Sequence, residues 1–192
     1  MRKMSGDERA SKTRKTVLRT VRLSQELDDL LRKDAEENDL SINSLINKIM
    51  AKYIEWDRHI KKFRFVSVTS ETLRAFLNEV GDEKLENIAK ELGSDLTSAV
   101  SMLWSEKVDL DAFLRMISLY SKYSGLFIRE FRADERGYVI TFHHKLGIKW
   151  SIFLKHFMSQ SFKSALGIEP ETFATANLAV ISFRKRPSES RN

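Results

Sequence analysis

An alternating run, Leu18-Arg19-Thr20-Val21-Arg22-Leu23, leads through Ser24 into two short helical patterns that end near Trp56. As a strand it would place Val21 and Leu23 on one face, and Leu18, Thr20 and Arg22 on the other. Ser24 stands where a helix cap is needed. Leu27, Leu30, Leu31 and Ala35 then fall on one apolar stripe, with Gln25, Asp28, Asp29, Arg32 and Lys33 outside it. Asn38-Asp39 breaks the pattern. Ser41 opens a second helix, in which Ile42, Leu45, Ile46, Ile49, Met50, Tyr53 and Ile54 repeat the spacing. One strand and two amphipathic helices, about 40 residues, are too few to enclose a core. They leave a strand edge and two apolar stripes open. A second copy answers both needs: two strands pair as an antiparallel ribbon, and four helices interlock beneath it.

In Thr20-Val21-Arg22-Leu23-Ser24-Gln25-Glu26-Leu27-Asp28 and Leu40-Ser41-Ile42-Asn43-Ser44-Leu45-Ile46, residues 16–56 resemble the ribbon-helix-helix family of DNA-binding proteins, the Arc, MetJ and CopG type. The inter-helix turn departs from the family, carrying Asn38-Asp39 where Gly is frequent. Asn and Asp tolerate the left-handed conformation that such a turn requires. The resemblance implies an intertwined homodimer whose ribbon enters the major groove of double-stranded DNA. A two-stranded ribbon fits that groove and presents alternate side chains to the bases. Here those are Leu18, Thr20 and Arg22. Arg22 can contact guanine O6 and N7 in bidentate fashion, Thr20 a base edge or a thymine methyl, and Leu18 only apolar groups. The resemblance further implies that backbone N–H groups at Ser41, Ile42 and Asn43 hold a phosphate, a task that suits a helix N-terminus. Lys15 and Arg19 would meet the DNA backbone. A register shifted by one residue would send Arg19 into the groove instead, and would expose both Val21 and Leu23.

Charge agrees with a polyanionic partner. The chain has 192 residues and a net charge of +6. Residues 1–22 contain eight Lys/Arg against Asp7 and Glu8, so the whole net charge lies there. With no cysteine, disulfides and cysteine-based zinc or redox sites are excluded. No apolar run reaches the roughly 18 residues of a membrane span, and the polar N-terminus lacks a signal-peptide core. A soluble, cytoplasmic protein without membrane partners is expected.

The expected organisation is a flexible basic arm at 1–15, a ribbon-helix-helix domain at 16–57 and a linker at 58–62. A C-terminal α/β domain at 63–185 and a polar tail at 186–192 follow. Phe63–Thr69 reads as a strand. Four helical patterns come next, marked by Leu73 to Val80, Leu85 to Leu92, Leu96 to Leu103 and Leu110 to Ile117, with Gly81, Gly93 and Glu106-Lys107 between them. Strands at Leu126–Arg132 and Tyr138–His144 form a hairpin. A helix runs from Ile148 to about Leu166 and ends at Gly167, and a last strand covers Leu178–Phe183. The fold class is α+β. Without the extra helices the order is βαββαβ, the ferredoxin-like arrangement; the four-helix section could equally pack as a separate bundle.

Three features of this second part invite sharper readings. Residues 88–100 look like a helix-turn-helix, but Ser94–Glu106 contains no Lys or Arg and includes Asp95 and Glu106, a poor surface for phosphate. The layout is loosely similar to nickel-responsive repressors, which place a ferredoxin-like sensor after a ribbon-helix-helix. Their metal site uses Cys and several His, whereas this chain has only His59, His143, His144 and His156, and adjacent strand positions face opposite ways. Aromatic residues crowd the last 60 positions, either as plain core or as the lining of an apolar ligand pocket or second dimer interface. No Gly-rich phosphate loop, cysteine nucleophile or metallohydrolase spacing is found. No cofactor, metal site or catalytic residue is assigned. The expectation is a homodimeric, sequence-specific transcription regulator of the repressor kind, with a C-terminal domain that senses a small-molecule effector or sets assembly beyond the dimer. The rivals are an antitoxin whose C-terminal part binds a protein, and an enzyme that uses the head to dimerise.

Overall fold

The computed structural model describes residues 16–61, 66–104 and 109–185. Helices and a small antiparallel sheet make up an α+β chain that divides into two compact units, 1–49 and 50–192.

In the first unit, residues 16–24 belong to no helix or strand. Helix α1 (Gln25–Glu37) starts at Ser24, whose Oγ accepts the Leu27 N–H at 3.3 Å. Its end follows the motif in which a left-handed residue turns the chain back on the last carbonyls. Asp39 has φ 52°, its N–H donates to the Glu36 carbonyl, and the Leu40 N–H donates to the Ala35 carbonyl at 2.8 Å. The Asn38-Asp39 turn therefore does what the sequence asked of it without a glycine. Helix α2 (Ile42–Lys52) opens at Ser41, whose Oγ accepts the Ser44 N–H.

In the second unit the chain passes through one π-helical turn, Tyr53–Asp57, into a short α3 (Arg58–Ile60). Trp56 is buried there against the Tyr120 ring, edge to face at 4.8 Å. Helix α4 (Ser70–Asn78) is capped by Thr69. The strand expected over Phe63–Thr69 is not present at residues 66–69, while 63–65 lie outside the described residues. Thr69 accepts the Thr72 N–H, so the Thr69-Ser70-Glu71-Thr72 stretch starts a helix instead of ending a strand.

The second and third helical patterns form one helix, α5 (Asp82–Trp104). This overturns the helix-turn-helix reading. Gly93 is not a breaker; it lets α5 approach the later helix α7 (Ile148–Leu166), because a Cβ at this position would stand 2.5 Å from the Phe157 carbonyl oxygen. Helix α6 (Leu110–Tyr123) is capped by Asp109, which accepts the Ala112 N–H at 2.9 Å.

Strands β1 (Ile128–Ala133) and β2 (Gly137–His143) form the expected hairpin. Helix α7 then crosses to β3 (Glu171–Thr175), which returns as β4 (Leu178–Arg184) through Ala176-Asn177. The sheet order is β1-β2-β4-β3, antiparallel throughout. This is a ββαββ unit, which corrects the ferredoxin-like expectation. In that arrangement the slot between the two strands joined by α7 belongs to the first strand of the domain. Here β4 takes it, arriving from the opposite end of the sequence. Ile140, Phe142, Ala179, Ile181 and Phe183 point from β2 and β4 into the core, where they meet Phe113, Leu154 and Phe162 from α6 and α7. Among the described residues no helix is long and apolar enough to cross a membrane.

Candidate nucleic-acid interface

The residues expected to touch DNA lie on two stretches of the first unit. Leu18, Thr20 and Arg22 follow one another in the exposed segment before α1, with Leu18 at 90% exposure. Arg19 is exposed as well, and Lys15 lies outside the described residues. The alternation of this segment has no consequence within one chain, since Val21 is also 73% exposed. A strand acquires faces only when it pairs and one face packs on something.

Ser41, Ile42 and Asn43 are brought together at the start of α2. Helix geometry leaves the Ile42 and Asn43 N–H groups without an intrahelical acceptor. Ser41 uses its hydroxyl on Ser44, and the first turn contains no acidic residue. The end of the helix dipole is thus left electropositive. Helix α1 differs sharply, with six acidic residues against Arg32 and Lys33. Asp28 holds the Arg32 guanidinium at 2.6 Å, which raises the Arg32 pKa above its ordinary value. Among the described residues of this unit, the stretches that suit phosphate are the 16–23 segment and the start of α2.

The unit buries little by itself. Ala35 and Leu45 are its buried apolar residues among those described, while Val21, Leu23, Leu27, Leu30 and Ile49 are between 39% and 73% exposed. These are the positions assigned above to the inner face of the ribbon and to the helix stripes.

The second unit contains two arrangements that the sequence did not reveal. His144, beside the exposed His143, is 8% exposed and fully paired. Its Nδ1 accepts the Leu146 N–H at 3.3 Å, so Nε2 carries the proton and donates to Ser151 Oγ at 2.9 Å. With no lone pair facing the hydroxyl, His144 cannot draw a proton from Ser151 in this state. Burial, and next the neighbouring His143, holds the His144 pKa below the ordinary histidine value. No group of three or more His, Asp or Glu residues among those described is close enough to hold a metal ion.

The other arrangement is a cavity of about 490 Å³ between α5, α6 and α7, lined also by Leu126 and Phe127. Trp150, Phe153 and Phe157 stack along one wall, with centroids 5.0 and 5.5 Å apart. Met116, Ile117, Tyr120, Leu154 and Met158 complete the apolar lining with Leu92, and Asp95 is the one charged residue on it. Burial raises the Tyr120 pKa. Aromatic density in this region was visible in the sequence, but only the merging of two helical patterns into α5 sets Leu92 and Asp95 opposite those rings. Comparison with protein-family models, with curated proteins and with solved structures finds no match for this chain.

Proposed function

We propose that the protein is a homodimeric, sequence-specific DNA-binding transcription regulator of the repressor kind. In this reading the 16–23 segments of two copies pair as a ribbon in the major groove, and the second unit senses an effector or sets assembly. The observation that carries the proposal is the imbalance of the first unit: a well-capped helix pair whose apolar stripes remain exposed in one chain. At roughly 25 cal/mol per Å² of apolar surface, leaving these stripes in water forgoes several kcal/mol that a second copy would supply. Pairing would also give the alternation of Leu18, Thr20 and Arg22 its meaning, by turning Val21 and Leu23 inward. The basic segment and the acid-free start of α2 supply the charge that DNA requires. The continuous core of the second unit favours a self-folding sensor or assembly unit over an antitoxin tail that folds on its partner.

The test is selection of bound duplexes from a random pool with the full-length protein at fixed salt. A two-fold symmetric motif is expected. Binding without any enrichment would sink the sequence-specific reading.

A further inference from the structure

We infer that β3 is a pairing edge, through which two copies of this chain join their sheets antiparallel about a two-fold axis at Phe173. An open sheet has two edges, and a bare edge invites another strand unless it is covered or charged. Edge β1 is both. It contains Arg129, Glu130 and Arg132, and the Arg129 N–H donates to Ser121 Oγ of α6 at 2.8 Å. Edge β3 lacks such protection among the described residues. It pairs with β4 alone, and its one charged residue, Glu171, stands at the first position. The rest, Thr172-Phe173-Ala174-Thr175, is rich in residues that favour strands.

The partner is a second copy because the strand is its own complement. Pro170, with no N–H to donate, bounds the pairable stretch on one side, and the Ala176-Asn177 turn bounds it on the other. Full antiparallel overlap of two such five-residue stretches sets Phe173 of each copy opposite the other. It also sets each Glu171 opposite a Thr175, whereas a parallel pairing would bring the two carboxylates side by side. Residues directly opposite share a face, and an aromatic pair there stabilises the ladder. Phe173 is 61% exposed and has Val180 beside it on β4. The second Phe173 would stand on its other side, continuing an uncharged row that runs through Val180 to Thr141. Helix α7 packs on both β3 and β4, so the axis would bring two α7 helices to about 10 Å, an ordinary packing distance. A ladder of this length buries far less than the roughly 1,200 Å² of a stable interface. Free copies therefore exchange, and pairing gains from any other link between them. This deepens the assembly role proposed above, with the paired heads as that link, and rests on that reading only for the link.

The absence of native cysteine allows the register to be tested in the full-length protein. In the doubly substituted chain, Glu171→Cys with Thr175→Cys, each thiol should meet one on the second copy at about 4.5–5.5 Å between Cα atoms, within disulfide reach. The two positions within one chain are about 14 Å apart, and so are two copies of either one across the axis. Under mild oxidation the double variant should therefore form covalent dimers at least about tenfold faster than either single variant. Adding Phe173→Lys, which sets two cations at the axis, should slow this several-fold. All three positions are exposed, and each variant should keep the wild-type circular dichroism spectrum. The inference is overturned if the double variant crosslinks no faster than the single ones, or if Phe173→Lys leaves its rate unchanged. Every variant carries the same head, so the comparison reads β3 whether or not the heads pair. Duplex selection reads the head alone, and the two proposals fall separately.

Discussion

At Gly93 two opposing effects can be weighed. Alanine is favoured over glycine inside a helix by about 1 kcal/mol. The added Cβ, however, would stand 2.5 Å from the Phe157 carbonyl oxygen, a backbone atom that cannot rotate aside. Overpacking of this kind costs about 1–3 kcal/mol, so Gly93→Ala should lower stability in urea titration despite its better propensity. His144 has a consequence in pH. Its folded pKa lies below the unfolded value, as does that of His156, where burial outweighs the pull of Glu86. The unfolded chain therefore takes up protons first. The stability these residues contribute should be fully present above about pH 6.5 and decline as the pH falls below it. His144→Ala should flatten that decline, and should also cost about 1–3 kcal/mol at pH 8 by leaving Leu146 N–H and Ser151 Oγ unpaired. At the proposed interface, Arg22→Ala should cost about 1–3 kcal/mol at a guanine-containing half-site and reduce discrimination there. An unchanged ratio of cognate to random binding would mean that Arg22 does not face the bases.

At the scale of elements, turns and caps determine which sequence signals were legible. Helix α7 was legible because its apolar spacing starts at Ile148 and Gly167 stops it at about Leu166; Gly147 and Gly167 adopt positive φ at its two ends. Helix α1 and its turn were equally clear. Asp39 holds a left-handed conformation that costs a non-glycine residue something, so Asp39→Gly should stabilise the first unit by about 0.5–1 kcal/mol in thermal unfolding. Strand β3 escaped notice because its inward residues are Thr172 and Ala174 and its one large apolar side chain, Phe173, is 61% exposed. The alternation is real, but inverted. A Thr-rich run followed by the two-residue Ala176-Asn177 turn was the available signal. Gly93 misled for a different reason: a glycine that breaks a helix and one that admits a neighbouring backbone are the same letter. The cavity was beyond sequence reasoning, since Asp95 and Trp150 are far apart in the chain and line one space only through the packing of α5 on α7.

For the molecule as a whole, the two units differ in what they need. The second has a core of aromatic and aliphatic side chains from both sheet and helices, while the first, among its described residues, leaves Val21, Leu23, Leu27, Leu30 and Ile49 exposed. Leu27→Glu combined with Leu30→Glu should therefore leave the near-ultraviolet spectrum of the second unit unchanged. In sedimentation the pair should convert a dimer into a monomer and remove DNA binding. A doubly substituted chain that still sedimented as a dimer would show that pairing does not run through these helices.

The position of β4 has a temporal consequence. This strand lies between β2 and β3, yet every other element of its unit is made before it. During synthesis the ribosome releases α1 and α2 early, then α3 to α7 and β1 to β3, while the middle of the sheet is still missing. Until residues 178–184 emerge, β2 can pair on one edge only, and Ile140 and Phe142 lack the Ala179, Ile181 and Phe183 neighbours that seal them from water. The nascent second unit is thus held open to the last, whereas both helices of the first are complete long before the remainder of the chain can close.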